Sequence, residues 1–231
     1  MGAAGVKVEI WSDVACPWCY IGKRRFEAAL ARFPHPVEVV WKSFELDPHA
    51  VGGKDGDYAT RLAAKYGRTV PQAQQLLDDM TTTAAAEGLA FRFDLAQAGS
   101  TFDAHRVVHA AGQVGLQDAM KERLLRAYFE QGEAVHDHDT LVRLAAEVGL
   151  DVHLVLQDDT HAVAVRREEA EAVELGITGV PFFVVDRRYG ISGAQPVEVL
   201  LGALERAWAE QAPLALVEAT GGACEGDTCT V

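Results

Sequence analysis

The stretch Ser12-Asp13-Val14-Ala15-Cys16-Pro17-Trp18-Cys19-Tyr20-Ile21-Gly22 joins two segments of different periodicity and carries two cysteines separated by two residues. Upstream, Val6, Val8 and Ile10 alternate with Lys7, Glu9 and Trp11, the period of two that marks a strand. Downstream, Phe26, Ala29, Leu30 and Phe33 recur at helical spacing until Pro34 and Pro36 end the pattern. Residues 37–44, VEVVWKSF, are β-branched and aromatic and read as a second strand. The chain therefore begins β-α-β, with the cysteines at the strand-to-helix turn.

From about 55 to 175 the alternation gives way to successive amphipathic helical patterns. Asp57 is placed to cap a helix carrying Tyr58, Leu62 and Tyr66, with Gly67 as its stop. Pro71 opens another, with Ala73, Leu76, Leu77 and Met80. Further helices are expected from about Asp103, through Met120, Leu124 and Tyr128, through Leu141, Leu144 and Val148, and over about 160–175. Strand character returns in Pro181-Phe182-Phe183-Val184-Val185, an unbroken apolar run that suits a central strand buried on both faces. A neighbouring strand is expected at 188–193, and Val197, Leu200, Leu201, Leu204 and Trp208 mark a last helix. This order predicts an α/β protein whose single sheet is built from both ends of the chain. Residues 1–50 and 176–212 form the sheet domain in this reading, 51–175 an all-helical insertion, and 213–231 a Gly-rich tail holding Cys224 and Cys229.

Composition narrows the class. The 231 residues are 49% hydrophobic and 24% charged, as in ordinary globular domains. No apolar run reaches the roughly 18 residues of a membrane span. The start, MGAAGVKVEIW, lacks the basic region and apolar core of a secretory signal, so a cytoplasmic protein is expected. A net charge of −13 without a basic patch argues against a nucleic-acid partner. In a reducing compartment, paired cysteines point to redox chemistry or metal binding before permanent crosslinks.

Cys16 falls at the start of the helix and Pro17 in its first turn, where a missing N–H costs nothing. Free N–H groups and the positive helix end favour a thiolate, so the Cys16 thiol is expected well below the free value of about 8.5. Cys19, one turn further in, is placed to resolve a mixed disulfide formed on Cys16. The same spacing also makes half a zinc site. The other half would have to come from Cys224 and Cys229 in the tail, and the β-α-β context favours redox chemistry.

Cys-Pro-Trp-Cys at 16–19, Phe44-Glu45-Leu46-Asp47-Pro48, Phe102-Asp103-Ala104-His105-Arg106, residues 176–184 (GITGVPFFV) and 191–196 (ISGAQP) together resemble the DsbA-like thiol:disulfide oxidoreductases of the thioredoxin superfamily, in their cytosolic FrnE-type branch. The resemblance covers about 6–212. It implies a thioredoxin fold with a helical insertion. It also implies a cis bond before Pro181, facing the cysteines, with the Val180 backbone offered to an extended substrate. Pro17 and Trp18 then shape the substrate surface and the reduction potential. Cys224 and Cys229 become an auxiliary redox pair, since some FrnE-type proteins have a similar tail. The electrons ride on the protein's own cysteines, so no bound cofactor is expected. Glutathione or a dithiol reductant serves as electron partner, cysteine-bearing proteins as substrates, with oxidative-stress defence as a setting and a monomer or homodimer as the assembly.

Two rival readings remain at this stage. The fold also hosts 2-hydroxychromene-2-carboxylate isomerases and kappa-class glutathione transferases, but those generally have Ser where Cys16 stands. A zinc-held or redox-sensing binding module is the other. Among the remaining candidates, Phe44, Leu46 and Pro48 are groove or core, and His105 is near the site by resemblance. His136-Asp137-His138-Asp139 reads as a polar loop in which Asp139 caps a helix rather than as a metal site. No metal is expected.

Overall fold

The computed structural model describes residues 5–52 and 57–211. Four strands form one sheet in the order β2-β1-β3-β4: β1 (Val6–Ser12), β2 (Val37–Ser43), β3 (Phe182–Val185) and β4 (Tyr189–Ser192). β1 runs parallel to β2, and β3 is antiparallel to both β1 and β4. Ile10 stands at the centre, in register with Trp41 on one side and Phe183 on the other.

The two central strands are buried on both faces, which explains their apolar runs. Val8, Ile10, Phe183 and Val185 join one core with Phe26 of α1 (Pro17–Arg32) and Leu200 and Leu204 of α9 (Val197–Gln211). On the opposite face Trp11, Val184 and Ile177 pack with Ala172 of α8 (Ala162–Glu174), and the Trp11 indole donates to the Glu168 carbonyl at 3.0 Å.

Between β2 and β3 lie α2 (Tyr58–Tyr66), α3 (Val70–Ala86), α4 (Phe102–Gln113), α5 (Gln117–Glu130), α6 (His138–Glu147), α7 (His153–Gln157) and α8. Asp57 caps α2 by accepting from the Thr60 N–H, and Gly67 ends it at φ +62°, a left-handed position that costs glycine little. Tyr20 of α1 stacks on Phe91, and Phe91 on Phe129 of α5, so the helical block and the sheet share one continuous core.

Two details depart from the sequence expectation. The cap of α6 is Asp137, which accepts from the Thr140 N–H at 2.8 Å, and Asp139 lies inside the first turn. The bond runs from the N-cap to the third helical residue, and Asp139, directly next to Thr140, is too close to make it. The short helix α7 has too few residues to show a period.

Candidate functional site

Strand β1 delivers the chain to the edge of the core, and Asp13-Val14-Ala15 turn it into α1. Cys16 is the N-cap of α1, in extended conformation, with Pro17 at the first helical position. Its N–H is held by the Asp13 carbonyl at 3.3 Å, and the Cys19 N–H by the Cys16 carbonyl at 3.0 Å. Both cysteines are reduced and buried, Cys16 at 3% exposure and Cys19 at 0%.

From the far end of the chain comes Val180. The Val180–Pro181 bond is cis, and the Cys16 thiol donates to the Val180 carbonyl at 3.4 Å. The approach of α1 to this loop requires Gly22, since a Cβ there would lie 2.9 Å from Pro181 Cγ. A cavity of about 1030 Å³ opens beside Cys16, lined by Pro17, half-exposed Trp18, Leu46, Tyr58, Tyr66, Met80, Tyr128 and Val180. The wall opposite the cysteines is thus built by α2, α3 and α5 of the helical block.

Burial is the largest influence on the Cys16 thiol and raises it well above the ordinary thiol value. Contact with the Cys19 thiol and the Asp13 charge add to the rise, and the Cys19 N–H opposes it. This corrects the expected depression. The helix end is present, but the sulfur in this reduced state is desolvated, and desolvation penalises the charged form.

Behind the cysteines lies a cluster of ionisable groups. Asp13, His105 of α4 and Lys121 of α5 are each 1% exposed. Asp13 accepts from the Leu46 N–H at 2.8 Å and the Ala15 N–H at 3.3 Å. His105 Nε2 is 3.5 Å from Asp13 Oδ1, and Lys121 Nζ donates to the Ser12 carbonyl at 3.1 Å. Burial works against the Asp13 carboxylate, but His105, the Leu46 N–H and Lys121 outweigh it and hold its carboxyl below the usual range. Burial likewise draws His105 down, against the pull of Asp13, and keeps the imidazole neutral at pH 7.

A family sequence model, the DSBA-like thioredoxin domain, matches residues 7–205. The chain belongs to that family. Among solved structures, this DSBA-like chain is similar to a probable DsbA oxidoreductase of Streptomyces coelicolor, at 50% identity and a TM-score of 0.85, over 98% of this chain and 99% of that one. Two more distant likenesses show the fold alone. The cytosolic disulfide reductase DsbM of Pseudomonas aeruginosa, solved with glutathione, is 19% identical with a TM-score of 0.60, over 88% and 96% of the two chains. A 2-hydroxychromene-2-carboxylate isomerase is 13% identical at 0.64, over 88% and 97%.

The DSBA-like structure brings Cys16, Pro17, Trp18, Cys19, Val180 and Pro181 to one place. Cys224 and Cys229 lie outside the described residues. Leu46 lines the cavity, Phe44 packs against the cluster of Trp11 and Ile177, and Pro48 is exposed. His138 binds Asp103 at 2.8 Å, and no cluster of metal-ligating side chains occurs among the described residues. No helix there is long and apolar enough to cross a membrane. The sequence reading passed over Asp13, Gly22 and Lys121. Lys121 did leave a signal: it interrupts the apolar stripe of Met120, Leu124, Leu125 and Tyr128 on the buried face of α5.

Proposed function

We propose that this chain is a cytoplasmic thiol:disulfide oxidoreductase acting on cysteine-bearing proteins through Cys16-Pro17-Trp18-Cys19. The observation that carries the reading is the placement of the Cys16 thiol. It sits at a helix N-terminus, against the Val180 carbonyl and beside an amphipathic cavity, with Cys19 one turn behind it. Cys16 attacks a substrate disulfide, releasing one substrate thiolate and forming a mixed disulfide. Cys19 then attacks Cys16 Sγ, and the second substrate thiolate leaves. Two electrons pass from the protein dithiol to the substrate, and the steps reverse for oxidation. Forming the mixed disulfide also frees the Val180 carbonyl from the Cys16 thiol. That carbonyl can then accept a hydrogen bond from an extended substrate backbone held across Trp18 and Pro181.

The pair needs no bound cofactor, and glutathione or a dithiol reductant restores it. Cys224 and Cys229 act in this proposal as an auxiliary pair that exchanges with Cys16 and Cys19, a feature suited to oxidative-stress defence. Trapping a Cys16–Cys224 or Cys16–Cys229 disulfide under mild oxidation supports that exchange. Failure to trap either, with unchanged turnover after removal of the tail, refutes it.

The main test is dithiothreitol-driven reduction of insulin by wild type and Cys16→Ser. Turnover is expected in the wild type and none above background in the variant. Because burial raises the Cys16 thiol, alkylation of Cys16 by iodoacetamide should still be accelerating above pH 9. An inactive wild type sinks the proposal.

A further inference from the structure

A tyrosine hydroxyl held in a protein interior ordinarily has a hydrogen-bond partner. Two in the wall that faces Cys16 have none. Tyr58 opens α2 and Tyr128 stands near the end of α5, and both line the cavity beside Cys16. Their rings are packed, Tyr58 against Phe93 at 4.9 Å and Tyr128 against Phe129 at 4.8 Å, and Tyr128 is 6% exposed. Neither hydroxyl meets an acceptor among the described residues, and neither oxygen is shut away from the cavity.

The resolving step puts negative charge into that cavity. Cys19 is fully buried one turn behind Cys16, so its attack on Cys16 Sγ runs outward from the core. Displacement at sulfur is in line, and the departing sulfur leaves on the opposite side, among the cavity residues. Burial, ahead of every other influence, pushes the Tyr128 hydroxyl up to about 12 and that of Tyr58 well above its ordinary value, so both keep their protons at neutral pH. Tyr58 feels the charges of Tyr128 and Cys16, which groups all three around one space. Arg61, in the same wall, opposes the rise in both tyrosines. The space beside the Cys16 sulfur therefore holds two neutral donors and a cation.

We infer that the Tyr58 and Tyr128 hydroxyls donate hydrogen bonds to the substrate thiolate as it leaves Cys16, a catalytic role that rests on the exchange reaction proposed above. Cys19 attacks as the thiolate, after its proton has passed to solvent. The Cys16–Cys19 bond forms, the bond from Cys16 to the substrate sulfur breaks, and the electron pair of that bond goes to the substrate sulfur. The hydroxyls keep their protons throughout and stabilise the developing charge, as preorganised donors do at an oxyanion. In the reverse direction the same donors hold an incoming thiolate against Cys16. Their contribution grows with the basicity of the departing thiolate, because a weakly basic one leaves readily unaided. The site is thus built for disulfides of ordinary alkyl thiols, cysteine among them, rather than for activated aryl disulfides.

Tyr58→Phe and Tyr128→Phe each remove one oxygen and keep the ring. Reduced protein is mixed with saturating bis(2-hydroxyethyl) disulfide, whose thiolate is strongly basic, or with 5,5′-dithiobis(2-nitrobenzoate), whose thiolate is weakly basic. Acid quenching and intact-mass analysis then follow the decay of the Cys16 mixed disulfide. With the hydroxyethyl reagent each variant should slow that decay about tenfold. This is less than the usual loss for an oxyanion donor, since sulfur accepts hydrogen bonds weakly. With the nitrobenzoate reagent both variants should stay within about twofold of the wild type. Equal slowing with the two reagents means a displaced wall and overturns the inference, and so does unchanged decay with the hydroxyethyl reagent. A wild type that forms neither a Cys16 mixed disulfide nor a Cys16–Cys19 disulfide instead refutes the oxidoreductase reading itself.

Discussion

Two buried lysines approach the ring of Trp41, Lys23 of α1 at 5.9 Å and Lys121 of α5 at 5.8 Å. They are equally hidden, at 2% and 1% exposure. Lys23 meets three carboxylates: Glu27, Asp118 at 3.4 Å and Glu122 at 3.1 Å. Asp118 also accepts from the Trp41 indole at 2.9 Å. Lys121 meets one carbonyl, that of Ser12. Burial lowers both amines, but in Lys23 the carboxylates win and hold it above its ordinary value, whereas in Lys121 burial wins. One amine is a clamp between α1 and α5, and the other is a buried charge held by a single carbonyl. Burial alone separates nothing here; the partner set does.

The comparison can be tested through the anion on the other side of the sheet, where the largest effect is expected. Burial opposes ionisation of Glu168, but bonds from His109 at 3.0 Å and the Ser43 N–H at 2.7 Å, with the Lys42 charge, bring its carboxyl down to about 2. A depressed carboxyl contributes stability above its unfolded value, and that contribution disappears as pH falls through the folded value. Glu168→Gln should therefore lose about 3 kcal/mol at pH 7 in urea unfolding, with the deficit shrinking between pH 4.5 and 2. A pH-independent deficit would mean that Glu168 is held by shape rather than charge.

Next in size is the contact between α1 and the Val180–Pro181 loop. Gly22→Ala places a methyl against the Pro181 ring, and overpacking of this kind costs about 1–3 kcal/mol. Insulin turnover should fall with it, because the methyl moves Pro181 relative to Cys16. Thermal melts and the insulin assay together check this, and a stable, fully active variant contradicts the tight approach.

The lysines themselves come next, with opposite signs. Lys23→Met should lose about 1–2 kcal/mol, less than a fully buried pair, because Glu27, Asp118 and Glu122 remain partly hydrated. Its activity should stay within about twofold. A raised amine stabilises fully below its unfolded value of 10.5 and ceases to do so as pH rises through the folded value, so this loss should vanish at strongly alkaline pH. Lys121→Met should instead gain about 1 kcal/mol at pH 7, since an apolar side chain replaces a buried charge bonded to a neutral carbonyl. A lowered amine binds fewer protons folded than unfolded, so wild-type stability rises with pH toward 10.5 and the variant's advantage should shrink. Equal stability losses in the two variants would break the comparison.

Much of the site was legible before the structure. Cys16 and Cys19 announced themselves by position, because a strand-period run and a helix-period run meet there. Pro17 fits the first turn for a reason local to its own ring. Asp13 gave no warning: as a residue shortly before a helix it reads as an ordinary turn former, and its role depends on His105 and Leu46. Lys121 was not singled out, since a lysine on an amphipathic helix ordinarily faces solvent. Only the apolar neighbours on its own stripe hinted otherwise.

By itself the sequence determined the local geometry: alternating Val6, Val8 and Ile10, the extended N-cap at Cys16, the Asp57 cap and the Gly67 stop. These follow from sterics and hydrogen bonds within a few residues. The tertiary structure alone decided which of those residues are charged, paired or reachable. It buried Cys16 enough to raise its thiol, put Val180 against it, and gave Lys23 three carboxylates where Lys121 received a carbonyl. The reason is physical: desolvation and ion pairing depend on groups brought together from distant stretches of the chain, and periodicity carries no information about which groups those are.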